Sequence, residues 1–432
     1  MEMILDLIRT MIPARVRTRI GPWYHFLLAF AAALRYGFPA RRLKMIGVTG
    51  TKGKTTTVHL LHEIFSSAGV RTASLSSLRF RIADLEQKNE TKMTMPGRFF
   101  VQRFLRDAAR ADCSHAVIEV TSQGIAQSRH RFIPFAAGVF TNVAPEHIEA
   151  HGGFEQYLRA KLDLFWRMSR DAVAIMNRDD PSAARFAAAT AAHRAWYGHD
   201  AIAVNGKIWK IADRDIGAEG IAFEMGRVSV RSPLSGEFNF YNILAACATA
   251  LALNIALEHI AAGVSRFAGA PGRMEFVRYH PVAVVVDYAH TPDSLRAVYE
   301  ALKKRIGVGA GQPRLICVLG SAGGGRDQWK RPVFGEIASR YCDESFLTNE
   351  DPYDEDPAAI IDAVAEGFLA GARRTKVPDR REAIRRALQT ASSGDIVVIT
   401  GKGAEPWLME AGGKRVPWDD RAVAREEADK LF

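Results

Sequence analysis

Gly50-Thr51-Lys52-Gly53-Lys54-Thr55-Thr56-Thr57 carries the strongest architectural signal in this chain. It follows the apolar run Met45-Ile46-Gly47-Val48 and leads into Val58-His59-Leu60-Leu61-His62-Glu63-Ile64-Phe65, an amphipathic stretch of helical type. A buried strand, a glycine turn and a helix N-terminus in that order make a phosphate cradle. Backbone N–H groups point at the anion, and the helix dipole favours negative charge there. Lys54 is placed to reach the outer phosphates and the Thr55 hydroxyl to sit on Mg²⁺. Val48 stands where the commonest phosphate-loop pattern has its first glycine, so the match is to the shorter form G-T-x-G-K-T. The loop predicts binding of a nucleoside triphosphate through Gly50, Thr51, Lys52, Gly53, Lys54, Thr55 and Thr56. A glycine turn of an ordinary α/β protein is the competing reading.

The bulk of the chain sets the frame. At 432 residues it exceeds one ordinary core, so two or three domains are expected. Hydrophobic content of 48% and charged content of 25% are those of a soluble globular protein. Cys113, Cys247, Cys317 and Cys342 lie far apart with no C-x-x-C pair. They read as small buried thiols of a reducing, cytoplasmic compartment, not as a metal site or a disulfide frame.

Charge is unevenly spread. Of the formal net charge of +10, residues 1–44 carry +6, through Arg9, Arg15, Arg17, Arg19, Arg35, Arg41, Arg42 and Lys44 against Glu2 and Asp6. The same segment holds the aromatic, apolar run from Trp23 to Leu34, too short for a span of about 20 residues and lacking a signal-peptide cleavage pattern. Two readings fit: a helix packed on the body, or one at a membrane surface or anionic ligand, peripheral to the inner membrane face.

From Lys44 onward strand-like and helix-like segments alternate. Ala116–Val120, Ala137–Asn142 and Ala172–Asn177 read as buried strands, separated by helical patterns over Val101–Arg110 and Phe154–Met168. This βαβ rhythm predicts an α/β fold with a mostly parallel sheet covered on both faces. Shorter β-like pieces within residues 201–232 predict a small antiparallel flap, and an alanine-rich helix follows. A boundary is expected near Ala268-Gly269-Ala270-Pro271-Gly272-Arg273. A second α/β set then runs through Val282–Asp287, Leu315–Gly320, Glu344–Thr348 and Ile396–Gly401. The expected organisation is a short helical N-terminal segment (1–44), a central P-loop-type domain (45–270) and a C-terminal Rossmann-like domain (271–432). Ligands bind at the carboxyl ends of strands in such sheets.

Several clusters beyond the loop fit a metal–nucleotide enzyme. Glu119 ends a strand, where a carboxylate suits Mg²⁺, although a solvated loop residue is the commoner fate. Thr141 to His151 lies at another strand end and carries two histidines without zinc spacing, and Lys161 falls among apolar neighbours. Together with G-T-K-G-K-T-T-T, the motifs Glu119-Val120-Thr121-Ser122-Gln123-Gly124 with Arg129, Thr141-Asn142 with His147 and His151, and Ala160-Lys161 before Leu164-Phe165 occur in a fixed order. Gly236 to Asn242, Gly272-Arg273-Met274-Glu275, Asp287 to Asp293, Gly323 to Asp327 and Gly401-Lys402-Gly403-Ala404-Glu405 continue it. Over residues 45–425 this order resembles the Mur ligase family of amide-bond-forming enzymes, in particular its members that add a diamino acid to a muramoyl dipeptide in peptidoglycan precursor synthesis.

The resemblance implies an ATP-dependent ligase working through an acyl phosphate, with ATP and Mg²⁺. It implies that Lys54 and Thr55 hold phosphates and one Mg²⁺, that Glu119 and His147 are further metal ligands, and that Lys161 is carbamylated. Lys54, Glu119, His147 and Lys161 would then carry the chemistry. Asn239, Asn242, Arg273, Asp287 and His290 match nucleotide contacts. Thr94, Thr121, Ser122 and Arg129 match positions that hold the muramoyl peptide. Arg326, Glu350, Asp351, Tyr353, Gly401 and Glu405 match further substrate-binding positions, Glu350, Asp351 and Tyr353 falling in the motif that selects the amine.

Three departures stand out. The family's N-terminal domain takes about a hundred residues, a usual domain size. With 44 residues before the central domain a complete UDP-binding domain is not expected, which leaves a nucleotide-linked or a lipid-linked donor open. Glu350-Asp351-Pro352-Tyr353 replaces D-N-P-R, so the arginine that would pair with a distal carboxylate is a tyrosine. That exchange, in an acidic run, fits a cationic side chain such as lysine or ornithine, or else a solvated loop. Ala404 and Met95 replace a histidine and a threonine of the family pattern. A polyglutamate-type ligase is the enzymatic alternative. A non-enzymatic basic nucleotide-binding protein is the other, although no nucleic-acid motif accompanies the charge and no nucleic-acid partner is expected.

Overall fold

The computed structural model describes residues 14–91, 93–144, 152–217, 220–306, 313–325 and 327–432, with side chains from residue 21 onward. The chain divides into two compact units, Met1–Lys210 with Asn242–Gly263, and Ile211–Tyr241 with Val264–Phe432.

Unit 1 opens with helix α1 (Ala14–Arg35) and is built on strands β1 (Lys44–Thr49), β2 (Thr72–Leu75), β3 (Arg79–Ile82), β4 (Leu85–Lys88), β5 (His115–Glu119), β6 (Phe135–Phe140), β7 (Val173–Asn177), β8 (His193–Gly198) and β9 (Ala201–Val204). Their order is β9-β8-β7-β6-β1-β5-β2-β3-β4, parallel from β8 to β2 and antiparallel at both edges. All five residues of β5 are buried, as are the last five of β1. Such unbroken apolar runs are what a parallel sheet covered on both faces requires. β1 lies between β5 and β6, so the loop after it emerges beside the ends of two strands that the chain reaches later. That is where open α/β sheets place ligands.

Four helices bear on the site. α2 (Lys54–Ser67) follows β1, α3 (Arg98–Arg110) and α4 (Ser122–Ala126) flank β5, and α5 (Phe154–Trp166) lies between β6 and β7. Helix α6 (Glu237–Ala252) begins in unit 2 and contributes its residues from Asn242 onward to unit 1.

In unit 2 the latter part of β10 (Lys207–Gly217) pairs with β11 (Gly220–Met225), and β11 with β12 (Val228–Ser232), all antiparallel. This is the flap expected from the sequence. A second sheet holds β13 (Glu275–Arg278), β14 (Ala283–Asp287), β15 (Leu315–Leu319), β16 (Glu344–Leu347), β17 (Arg374–Lys376) and β18 (Ile396–Thr400) in the order β13-β14-β18-β15-β16-β17. Only the β13 edge is antiparallel.

One reading is corrected. Cys317 in β15 and Cys342 are joined in a disulfide, while Cys113 and Cys247 are free and buried. The two bonded residues are 25 apart in sequence. They meet because β16, which begins two residues after Cys342, lies beside β15. Among the described residues no helix is long and apolar enough to cross a membrane.

Candidate active site

The phosphate loop is shaped by side chains from outside it. Gly50 has φ 155, and a Cβ there would run into Thr141 Oγ1. Gly53 caps α2 with φ 82, and a Cβ there would run into Asn242 Oδ1. Both positions therefore need glycine for conformation and for room. Asn142 braces the loop on both sides: its Oδ1 accepts from Lys52 N at 2.9 Å, and its Nδ2 donates to Lys52 O at 3.1 Å. Thr141 Oγ1 donates to the same carbonyl at 2.7 Å. Lys54 folds back, its Nζ donating to Gly50 O and Thr51 O, both at 2.8 Å.

Helix α5 reaches the loop with two residues of one face. Tyr157 and Lys161 are four apart, the spacing that stacks side chains on a helix. The Tyr157 hydroxyl lies 3.0 Å from Thr51 Oγ1, and Lys161 Nζ donates to Gly50 O at 2.7 Å. Lys161 is 1% exposed, with its Nζ 4.5 Å from the Tyr157 ring centre. Lys161 is therefore an interior residue of α5, not a lysine of the helix surface.

Beyond the loop, oxygen atoms line up in a chain. The Thr55 hydroxyl is 2.9 Å from Ser77 Oγ, and Ser77 N donates to Glu119 Oε1 at 2.9 Å. Glu119 is buried and sits beside Val48 in the β1–β5 register. A hydroxyl and one carboxylate suit Mg²⁺, which takes one or two carboxylates and completes its shell with water and phosphate oxygens. No group of three or more histidine, cysteine, aspartate or glutamate side chains is arranged to hold a metal ion among the described residues. His147, with His151, lies outside the described residues.

The expected muramoyl-peptide positions gather around α4. Thr121 caps that helix, its side chain accepting from Gly124 N at 3.0 Å, and Ser122 is buried in its first turn. Arg129 donates to Met95 O and, at 2.7 Å, to Gln127 Oε1, which places it next to Thr94. Burial, and then the charge of Arg98, lower the Arg129 pKa. An arginine strained in this way gains from any anion that approaches it.

In unit 2 the matched residues sit at the carboxyl ends of β14, β16 and β18. Asp287 Oδ2 accepts from Met274 N at 2.6 Å, and the Arg273 guanidinium lies over the Tyr288 ring at 4.1 Å. His290 Nδ1 is 2.8 Å from Tyr288 O. Asn239, near the start of α6, donates to Ser235 O at 2.9 Å.

The acidic run is far less open than its sequence suggests. Lys402 Nζ bridges Asp351 Oδ2 at 2.8 Å and Glu405 Oε2 at 2.5 Å. Burial works against the Lys402 charge, but Glu405 and Asp351 outweigh it and hold its pKa above the usual lysine value. Tyr288 donates to the other oxygen of Glu405 at 2.9 Å. Glu355 pairs with Arg331 at 2.8 Å, and Asp354 accepts from Gly412 N at 2.8 Å. Glu350 differs: it is buried beside Gly401, and its Oε2 has no hydrogen-bond partner among the described residues. Burial pushes its pKa up to about 7 against the pull of Arg380, Lys330 and Lys402. The buried pair Arg380–Asp420 supports this corner, with Arg380 also donating to Thr400 O and Asn349 O next to Gly401 and Glu350. Tyr353 has left-handed backbone, φ 53. Arg326 lies outside the described residues. Glu350 is thus the buried carboxylate of this run with an oxygen left unpaired among the described residues, while Asp354 and Asp356 are exposed.

Sequence reasoning passed over Ser77, Tyr157 and Asn142 as site residues. Tyr157 carried a signal, its four-residue spacing from Lys161. Ser77 follows a short strand in an unremarkable turn and carried none.

A phosphate loop, a hydroxyl–carboxylate pair and a buried lysine on one sheet end, with a second α/β unit, define the class: an ATP-dependent amide ligase. The description "Mur ligase middle domain" matches residues 48–250, and "Mur ligase, glutamate ligase domain" matches residues 272–403. A Gloeobacter violaceus protein named UDP-N-acetylmuramoyl-L-alanyl-D-glutamate–2,6-diaminopimelate ligase is 40% identical over 415 residues, covering 92% of this chain and 80% of its own. A Roseiflexus protein named UDP-N-acetylmuramyl-tripeptide synthetase is 39% identical over 430 residues, covering 94% and 82%. A solved structure of a 2,6-diaminopimelate ligase of the same name superposes with TM-score 0.63 and 32% identity, over 97% of this chain and 84% of that one. The chain belongs to the Mur ligase family.

Proposed function

We propose that this enzyme joins the amine of a diamino acid to the terminal carboxylate of a muramoyl dipeptide, in the cytoplasm, with ATP converted to ADP and phosphate. The carboxylate first becomes an acyl phosphate, the amine attacks its carbonyl carbon, and phosphate leaves from the tetrahedral intermediate. The observation that carries this reading is the buried Lys161 ammonium delivered by α5 onto the phosphate loop. The names of the relatives supply the muramoyl peptide and the diamino acid.

In this reading the loop N–H groups and Lys54 hold the transferring phosphates. Thr55 and Glu119 would hold Mg²⁺, which when bound neutralises charge on the phosphoryl group. His147 is assigned as a further ligand by resemblance. Lys161, as free amine, adds to CO₂ with loss of one proton. The carbamate keeps one N–H, so it can go on donating to Gly50 O while presenting carboxylate oxygens. Asn239, Asn242, Arg273, Asp287 and His290 take the nucleotide, Thr94, Thr121, Ser122 and Arg129 the muramoyl peptide. Glu350, with Asp351, Tyr353, Gly401, Glu405 and Arg326, faces the diamino acid.

Residues 1–44, basic and aromatic, contact an anionic membrane surface in the same reading. ADP release measured with UDP-linked and lipid-linked muramoyl dipeptides, crossed with diaminopimelate, lysine and ornithine, tests the reaction. A tripeptide product is expected, and its identity names the amine and donor. Turnover of ATP that responds to none of these donors would overturn the assignment.

A further inference from the structure

A cavity of about 500 Å³ opens at the foot of the unit 1 sheet. Phe135 in its wall starts β6 and pairs with Met45 near the start of β1. The cavity is thus a strand's length, about 20 Å, from the phosphate loop. The ligase reaction as assigned makes no use of it. Arg41, Arg131 and Arg167 line it. The carboxylate Asp163 accepts from Arg167 Nε at 2.6 Å and from His130 Nε2 at 2.9 Å. Burial, and then the like charge of Arg167, lower the Arg131 pKa. Positive charge is therefore in surplus, and an anion would relieve it.

His130 adds a second requirement. It lines the cavity, is 3% exposed, and its Nδ1 has no hydrogen-bond partner among the described residues. Burial lowers its pKa although Asp163 pulls the other way. With Asp163 accepting at Nε2, the neutral ring presents a lone pair at Nδ1. A cationic cavity with one buried acceptor fits a ligand that brings both an anion and a hydroxyl.

The cavity wall meets α1 through Phe132, whose ring packs on Phe26 and Phe30. Trp23, Leu27, Phe30 and Leu34 follow helical spacing and are 70%, 59%, 42% and 60% exposed. Phe132, in the cavity wall, lies 5.5 Å from the Phe30 ring centre, and Trp166 stands half-exposed in the same wall. Aromatic, apolar and basic side chains side by side suit the headgroup level of a bilayer.

We infer that this cavity binds the phosphoglycerol headgroup of an anionic membrane lipid while the α1 stripe enters the acyl boundary. The inference rests on the membrane contact proposed for residues 1–44 and adds to it a site in the body of unit 1. The arginines take the phosphate, and His130 Nδ1 accepts from a glycerol hydroxyl.

Flotation of the full chain with vesicles of phosphatidylcholine alone, or mixed with phosphatidylglycerol or phosphatidylserine, tests it. The unaltered protein is expected to float best with phosphatidylglycerol and not with phosphatidylcholine alone. Arg131→Ser combined with Arg167→Ser should weaken flotation roughly thirtyfold, the effect of two basic side chains at a charged surface. ADP release without vesicles should be unchanged in that variant, which separates this site from the ligase assignment. Leu27→Ser combined with Leu34→Ser should lose flotation on every vesicle. Unaltered protein that fails to float overturns both the membrane contact and the headgroup site. Flotation of the arginine variant at the unaltered level, or equal flotation on the two anionic lipids, overturns the headgroup site alone. Tighter binding to a single-stranded oligonucleotide than to vesicles also overturns it.

Discussion

Lys161 and Lys402 are each 1% exposed and each stand at a strand-end site, one in unit 1 and one in unit 2, but they keep different company. Lys161 donates to the carbonyl of Gly50 and lies by the Tyr157 ring. Lys402 is wedged between the carboxylates of Asp351 and Glu405. A lysine between two carboxylates is committed to its charge and to its place, and removing it strands the buried Asp351 carboxylate and the partly exposed Glu405. A lysine directed at the phosphate loop is positioned to act on what the loop holds. Burial and residue type were alike, so the partner atoms decide the role.

The largest test of this contrast is Lys161→Ala. ADP release should fall by about a thousandfold, the scale of losing a charge-stabilising group at a phosphoryl-transfer site. Bicarbonate added to CO₂-depleted enzyme should raise activity of the unaltered protein and leave the variant unmoved. Activity indifferent to CO₂ would dismiss the carbamate. Lys402→Met should act on stability instead. Breaking a buried pair costs about 3–5 kcal/mol, so unit 2 should melt about 10 °C lower. A melting curve that does not move would erase the distinction between the two lysines.

Glu350 sharpens the contrast from the carboxylate side. Its folded pKa of about 7 lies above the ordinary 4.5. The folded state therefore binds the extra proton, and the Glu350 contribution to stability declines as pH rises from about 4.5 through 7. Glu350→Gln should leave stability unchanged at pH 4 and raise it by about 3 kcal/mol at pH 8, since each pKa unit corresponds to about 1.4 kcal/mol. Chemical denaturation at the two pH values checks this, and a gain at both would show that titration is not the cause. The smallest effect is expected for Gly53→Ala. Its Cβ would press on Asn242 and its φ would be strained, which should weaken ATP binding about tenfold, the equivalent of 1.4 kcal/mol. Calorimetric titration with ATP measures it.

Much of the fold was legible because parallel strands buried on both faces read as unbroken apolar runs. β1, β5, β14 and β18 all carry that signature. The phosphate loop was legible because its glycines and Lys54 are contiguous. Lys161 drew notice as a charge among apolar residues, but its contact with Gly50, 111 residues away, is a product of α5 packing. The partners of the run from Glu350 to Asp356 were hidden for the same reason. The cations and amide groups that engage it come from Lys402, Arg331, Met409 and Gly412, and no local pattern announces them. The Cys317–Cys342 bond overturned the reading of isolated thiols because strand adjacency, not spacing, brings the two residues together.

Lys54 rests on two carbonyls of its own loop. If it moves to the phosphates as proposed, nucleotide binding is an exchange of acceptors, and the carbonyls compete with the ligand for one ammonium. ATP, with its third phosphate, competes well. ADP competes less well, so the loop reclaims its lysine as the product departs. The same folded-back side chain would thereby favour release of spent nucleotide and limit product inhibition.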